Sequence, residues 1–244
     1  MRYNLKGTIC ADEDAPVYKY FGIAAVSPAD IRQALADNPE GEEFVLEINS
    51  GGGSVYAGFE MYSILRGAKT PTRAEVQSLA GSAASVVLAA ADTAAASPVG
   101  QVMIHLPSTI TEGNQIVHRE SVQMLEAVTG SIIAAYEAKC RGKTSRDALR
   151  RMMDRETFLT AQEALDAGLI DEIIGADEGA AASPLDVFNA VGGAPDIEQM
   201  RAAYRAANPP GGNPPPAPEP DDGEAQARAR AIALAEAEMD MITL

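Results

Sequence analysis

Apolar and polar residues follow two different periods along the first 175 residues. Short apolar runs with polar or glycine boundaries, typical of β-strands, occur at 43–48 (EFVLEI), 72–79 (TRAEVQSL) and 101–106 (QVMIHL). Apolar positions with helical spacing follow each run, at 54–67, 83–91 and 116–141. Strands and helices that alternate in this way predict an α/β fold built from βαβ units.

A capping box marks the last predicted helix of this region. In TAQEA, Thr160 stands at the N-cap and Glu163 follows three residues later, so each side chain can accept a hydrogen bond from the other residue's backbone N–H. We therefore predict a helix over 161–168. The segment GLIDEII after it is predicted to close the domain as a strand.

Composition changes near residue 176 and again at 208–223, where the chain reads NPPGGNPPPAPEPDDG. Proline, glycine and acids at this density cannot bury enough apolar surface to fold. We expect a compact domain over 1–175, a linker over 176–222 that is disordered at 208–222, and a short amphipathic helix over 223–244.

Charge and cysteine usage exclude several classes of protein. A formal net charge of -16 argues against a general nucleic-acid-binding protein. The N-terminus lacks an apolar signal segment and no apolar run is long enough to span a membrane, so we expect a cytoplasmic chain. Cys10 and Cys140 have neither a CxxC spacing nor a histidine cluster, and we expect neither a disulfide, a metal site nor a cofactor.

Three consecutive glycines in NSGGGS, at 49–54, join a predicted strand to a predicted helix. Glycine permits positive φ and leaves backbone N–H groups unobstructed, so this turn could direct donors at a developing negative charge. A phosphate-binding loop is the alternative, but the P-loop lysine is missing and GxGxxG does not fit. A tight turn without any binding role also explains the glycines.

Candidate residues for nucleophilic catalysis lie in GSAASVV, at 81–87, and in QVMIHLPS. Ser85 is either a nucleophile near the start of a helix or a small residue at a close contact, and Ser82 is interpreted as a small residue in a tight turn. A serine nucleophile needs a base, and His105 at the end of a strand is better placed than His118 on a polar helix surface.

A carboxylate that orients the histidine would complete such a triad. Asp154 and Glu156 precede the FL of DRETFLTAQEA. Carboxylates before a helix also act as caps and favour the helix dipole without any catalytic role, so the sequence alone leaves both interpretations open.

Taken together, NSGGGSVYAGFEMYSIL, GSAASVV, VMIHLP and ETFLTAQEALDAGLID resemble, in order and spacing, the Clp-type serine peptidases with the ClpP fold, over about residues 18–175. The interval of 20 residues between Ser85 and His105, and the C-terminal extension, are most similar to the ClpP-like head maturation proteases of tailed phages. The resemblance implies a ClpP/crotonase-like superhelix of βαβ units with a protruding strand-helix handle at 108–141. It also implies self-association into rings of about six or seven subunits.

The resemblance assigns roles to individual residues. Ser85 matches the nucleophile and His105 the base, while the backbone N–H groups of Gly53 and Val86 match the oxyanion hole. The family's aspartate is replaced by glutamate at Glu156, which we favour as the acid, with Asp154 as the alternative.

The implied function is a serine endopeptidase that processes scaffold or capsid proteins during phage head assembly, in the host cytoplasm or the assembling prohead. Protein and peptide substrates and further copies of the chain are the expected partners, without nucleic acid, membrane, metal or cofactor. Three alternatives stay open: a housekeeping-type Clp peptidase that works with an unfoldase ATPase, a crotonase-like acyl-CoA enzyme, and a structural protein without activity.

Overall fold

The computed structural model describes residues 1–174 and 197–207. Its strands are β1 Arg2–Ile9, β2 Ala25–Val26, β3 Phe44–Gly53, β4 Thr72–Gly81, β5 Thr93–Ala96, β6 Gln101–Ile104, β7 Thr157–Thr160 and β8 Glu172–Ile173. Its helices are α1 Ala15–Tyr20, α2 Pro28–Ala36, α3 Val55–Arg66, α4 Ala83–Ala90, α5 Gln115–Cys140, α6 Arg146–Asp154, α7 Ala161–Ala167 and α8 Ile197–Ala207.

The strands form a sheet with the order β2-β1-β3-β4-β5-β8, in which all neighbours are parallel. Strand β6 adds a parallel partner to the end of β4, and β7 pairs antiparallel with β6. Parallel neighbours require crossover connections, which the intervening helices supply. The predicted mixed α/β class with a parallel sheet is therefore confirmed.

Helix α4 lies at the centre of the core. All eight of its residues are buried, and it packs against β3, α3 and α5. A helix that is apolar on all sides is stable only inside a protein, which agrees with the small residues of AASVVLAA. The position of α4 fixes the direction in which its N-terminus points.

Helix α5 agrees with its predicted range, whereas the strand of the predicted handle is not confirmed. Buried residues of α5 begin at Val128, and the preceding half is largely exposed. Residues 108–114, where the resemblance implied a strand, form neither strand nor helix. A strand needs a neighbouring strand for its backbone hydrogen bonds, and this segment pairs with none in the described part of the chain.

Two further differences concern the ends of the chain. No helix or strand is predicted before residue 43, yet β1, α1, β2 and α2 lie there. Within the predicted linker, α8 forms a helix whose Met200 packs on Val17 and Tyr18, while Arg201 forms an ion pair with Asp14. The ranges 208–222 and 223–244 lie outside the described residues. None of the described helices is long and apolar enough to span a bilayer.

Candidate active site

The carboxyl ends of three neighbouring strands bring the glycine turn, a serine and a histidine together. Strand β4 lies between β3 and β6, with Ser50 opposite Ala80 and Gly81 opposite Met103. Parallel strands end at the same edge of a sheet, where α/β proteins place their ligand sites. The residues that follow these three strands therefore meet at one edge.

His105 contacts Ser82 at this edge. Its Nε2 lies 2.7 Å from the Oγ of Ser82, and the backbone N–H of Ser82 donates to the carbonyl of Met103 at 2.9 Å. Ser82 is the N-cap of α4 and has φ 50° and ψ -122°. A non-glycine residue with such angles stores about 1–3 kcal/mol of strain, and such residues cluster at active sites.

Ser85, the predicted nucleophile, does not hydrogen bond to His105. It is 1% exposed, and its Oγ lies 2.6 Å from the carbonyl oxygen of Ser82 and 2.7 Å from the hydroxyl of Tyr136. Ser85 lies one turn inside α4, whereas Ser82 stands where β4 meets the helix. Ser82, three residues before the predicted nucleophile, is therefore the serine that hydrogen bonds to His105.

Glycine is required at the turn because the turn packs directly on Ser82. Gly52 has φ 103°, and a Cβ on it would lie 2.7 Å from the Cβ of Ser82. The Gly52 N–H donates to Ser50 Oγ at 3.1 Å. Gly53, the next residue, borders the cleft beside Ser82, and this leaves its N–H as the candidate donor of the turn.

A second candidate oxyanion donor is the backbone N–H of Ala83. Ala83 follows Ser82 and is the first residue of α4, where a backbone N–H has no acceptor within the helix. It borders the same cleft as Gly53. Val86 was predicted only because it follows Ser85; it lines the cleft, but it lies beyond the first three residues of the helix.

Neither predicted acid hydrogen bonds to His105 within the described part of the chain. Asp154 is exposed and pairs with Arg150 at 2.8 Å. Glu156 is also exposed, with φ 49°. The antiparallel register of β6 and β7 ends with Ile104 paired to Thr157, so His105 and Glu156 each lie one residue beyond this last pair. Glu156 is therefore nearer than Asp154, along the chain, to the strand end that carries His105.

The cleft beside Ser82 has a volume of about 230 Å³. It is lined by Gly53, Ser54, Val55, Ser82, Ala83, Val86, His105, Pro107, Ser108, Ile132 and Tyr136. No acid, lysine or arginine is among these described lining residues, so the cleft suits an uncharged segment of a substrate. His118 is exposed elsewhere, with its Nδ1 2.8 Å from the Thr111 hydroxyl.

Comparisons with known proteins match the part of the chain that contains this site. The family model described as Clp protease matches residues 31–177. The ATP-dependent Clp protease proteolytic subunit of Pleurastrum terricola is 33% identical over 141 residues, which cover 56% of this chain and 70% of that protein. The subunit of the same name from Bacteroides fragilis strain ATCC 25285 is 35% identical over 140 residues, which cover 55% of this chain and 65% of that protein.

A third relative gives the same result. The ATP-dependent Clp protease proteolytic subunit 1 of Chlamydia abortus is 34% identical over 142 residues, or 56% of this chain and 72% of that protein. The range matched by the family model contains the glycine turn, both serines and His105. Because that model matches more than half of the sequence, the chain belongs to the Clp protease family, whose members are serine-type endopeptidases, and the predicted enzyme class is confirmed.

Proposed function

We propose that this chain hydrolyses peptide bonds with Ser82 as the nucleophile and His105 as the general base. The contact of 2.7 Å between Ser82 Oγ and His105 Nε2 carries the proposal, because a base within hydrogen-bonding distance activates a serine hydroxyl. Ser82 attacks the substrate carbonyl while His105 accepts its proton. His105 then donates the proton to the leaving amine, and water hydrolyses the acyl-enzyme.

The backbone N–H groups of Gly53 and Ala83 stabilise the oxyanion in this mechanism. Both residues border the cleft next to Ser82. Backbone donors are fixed before the reaction begins, so they cost no reorganisation when charge develops on the substrate oxygen.

Glu156 is proposed to orient His105 once its side chain turns towards the imidazole. The strand register supports Glu156 over Asp154, and the ion pair with Arg150 holds Asp154 on the exposed surface of α6. A carboxylate in this position stabilises the imidazolium formed when His105 accepts the proton.

Labelling with a fluorophosphonate probe tests the assignment of the nucleophile. We expect Ser82→Ala to lose both labelling and peptide hydrolysis, and mass spectrometry of the wild-type chain to locate the adduct on Ser82. Ser131→Ala, on the exposed side of α5, is the matched control and keeps wild-type labelling. An adduct on Ser85, or labelling that persists in Ser82→Ala, would overturn Ser82 as the nucleophile. A wild-type chain that takes up no label would instead favour the acyl-CoA enzyme alternative.

The same assay separates the two acids. Glu156→Gln is expected to lower kcat by about 10²- to 10⁴-fold, since loss of the orienting carboxylate impairs the histidine as a base. Asp154→Asn removes a carboxylate of similar exposure and is expected to keep the wild-type kcat. The reverse result would transfer the role to Asp154.

The relatives favour a peptidase that works with an ATPase over one that processes phage heads. All three are ATP-dependent proteolytic subunits by name, and none supports capsid or scaffold proteins as substrates. We therefore propose a self-associating subunit that degrades proteins supplied by an unfoldase ATPase. Exposed apolar side chains on the first half of α5, such as Ile116 and Val122, which are 55% and 53% exposed, support self-association.

The size of the oligomer and the dependence on an unfoldase test whether the chain is a self-associating subunit that works with an ATPase. Sedimentation velocity at micromolar concentrations should show a species several times the 25.5 kDa of the chain. Adding a bacterial Clp unfoldase and ATP should accelerate degradation of a folded, tagged substrate. A monomer at all concentrations would exclude self-association, and degradation that ATP and unfoldase do not change would exclude the ATPase partner.

A further inference from the structure

Two buried hydroxyl groups lie behind Ser82, and the proposed reaction does not use them. Ser85 Oγ is 2.6 Å from the carbonyl oxygen of Ser82 and 2.7 Å from the hydroxyl of Tyr136. Ser85 and Tyr136 are each 1% exposed, and Ser85 does not border the cleft. Their contacts connect the C-terminal part of α5 to Ser82, the proposed nucleophile.

The chemistry of the three groups fixes the direction of these hydrogen bonds. A carbonyl oxygen only accepts, so Ser85 must donate its single hydroxyl proton to Ser82. The bond between Ser85 and Tyr136 then needs the phenol as its donor. The protons therefore point in one direction, from Tyr136 to Ser85 to the Ser82 carbonyl. Burial raises the pKa of Tyr136 above its usual value, so the phenol stays protonated.

The Ser82 carbonyl belongs to the same planar peptide group as the Ala83 N–H. In a trans peptide these two groups point in opposite directions. The carbonyl accepts hydrogen bonds from both the N–H of Ser85, at 3.0 Å, and its hydroxyl. A carbonyl held on the buried side directs the N–H of Ala83 to the other side, and Ala83 borders the cleft.

We propose that Ser85 and Tyr136 are positioning residues, which hold the Ser82–Ala83 peptide group so that the Ala83 N–H faces the oxyanion. This inference rests on the proposed function and adds two residues that fix the geometry of its oxyanion hole. The strained ψ of Ser82, -122°, sets the orientation of that peptide group. A strained backbone conformation persists only when the surrounding structure holds it. The Tyr136–Ser85 pair supplies that restraint.

The test compares Ser85→Ala with the wild-type protein in peptide hydrolysis. The substitution removes the hydroxyl without changing the lining of the cleft. We expect kcat to fall by about 10- to 100-fold, less than the full loss of an oxyanion donor, with KM nearly unchanged because the donor acts on the transition state. Affinity for a peptidyl boronate, whose tetrahedral adduct occupies the oxyanion hole, should fall in parallel with kcat.

Two further variants keep the test decisive. Tyr136→Phe preserves the ring and removes only the donor to Ser85, so a smaller fall in kcat is expected even if Ser85→Ala does not fold. Thr129→Val removes another buried hydroxyl of α5, one that donates to its own helix at Leu125, and should leave kcat unchanged. Rates are normalised to the folded fraction, measured by circular dichroism.

The outcomes separate this inference from the proposed function. A wild-type kcat in folded Ser85→Ala and Tyr136→Phe would overturn the positioning role while leaving Ser82 as the nucleophile. An equal fall in Thr129→Val would also overturn it, because any loosening of α5 would then suffice. Labelling that persists in Ser82→Ala would instead overturn the function on which the inference rests.

Discussion

Helix α5 holds the two ends of helix α4 by different chemistry. At the N-terminal end, Tyr136 contacts Ser85 through neutral hydroxyl groups. At the C-terminal end, Lys139, one turn further along α5, donates to the carbonyl of Ala91 at 3.2 Å. One end carries the proposed nucleophile, and the other lies away from the cleft.

At the C-terminal end of α4, the contact with α5 is an ion pair with a structural role. The Lys139 side chain is only 2% exposed, and its ammonium forms an ion pair of 2.7 Å with Asp171. Asp171 also accepts from the backbone N–H of Ala94 at 2.8 Å. A cation is favourable beside the carbonyls at a helix C-terminus, and the carboxylate offsets the cost of burying it.

The contrast between the two ends of α4 shows where a buried charge is compatible with the proposed reaction. A full charge behind Ser82 would act on the oxyanion and on the imidazolium that form during the reaction, because electrostatic interactions are strong in a buried site. Neutral hydroxyls fix the same geometry without that field. The Lys139–Asp171 pair, the charged anchor, therefore lies at the end of α4 where no charge develops during the reaction. The Tyr136–Ser85 pair, the neutral anchor, lies at the other end.

Loss of the charged anchor should have the largest effect on stability. Asp171→Ala leaves the Lys139 ammonium buried with one carbonyl acceptor, and we expect the free energy of unfolding to fall by about 3–5 kcal/mol. Urea denaturation measures this change, and kcat per folded molecule should not change. Lys139→Met combined with Asp171→Ala is the control and should recover much of the loss. A loss below about 1 kcal/mol in Asp171→Ala would show that water solvates the ammonium.

The neutral anchor should matter less to stability. Ser85→Ala leaves the Tyr136 hydroxyl buried without its acceptor, at an expected cost of about 1–3 kcal/mol in the free energy of unfolding. Adding Tyr136→Phe removes the orphaned hydroxyl, so the double variant should be more stable than Ser85→Ala alone. Urea denaturation of the four chains forms a double-mutant cycle. Strictly additive losses would mean that the two hydroxyls are not coupled.

The sequence predicted most of the central fold because its elements have strong local signals. Helix α3 and helix α5 match their predicted ranges to within one residue at each end. The capping box of Thr160 and Glu163 is confirmed in both directions. The weak points were short elements such as β5 and β7, whose four residues carry too little periodicity to be recognised.

The site was predicted in part for a related reason. The glycine turn and His105 lie where the sequence placed them, but the two serines of GSAAS could not be distinguished by residue type. The predicted strand ended at 79, whereas β4 continues to Gly81 and makes Ser82 the junction with α4. That boundary depends on pairing between Gly81 and Met103, a contact between distant residues that no local pattern reveals.

Acid should weaken the charged anchor while leaving the neutral one intact, and this is the smallest expected effect. Burial acts to raise the pKa of Asp171, but hydrogen bonds from Lys139 and Ala94 outweigh it and hold that pKa below its usual range. A lowered pKa means that the contribution to stability is complete above the unfolded-state pKa of about 4 and is lost as pH falls through the folded-state value. The effect is smaller than that of truncation, since a protonated Asp171 still fills its position.

Urea denaturation of wild type and Asp171→Asn between neutral and acidic pH tests this difference. Asparagine keeps the shape of the side chain and removes its titration, so the stability gap between the two chains should narrow as pH falls below about 4. Tyr136→Phe serves as the control for the other end of α4. Its gap from wild type should stay constant over the same range, because a phenol whose pKa is raised by burial stays protonated throughout. A constant gap for Asp171→Asn would show that the ion pair with Lys139 does not couple folding to pH, and the two anchors of α4 would then differ in geometry alone.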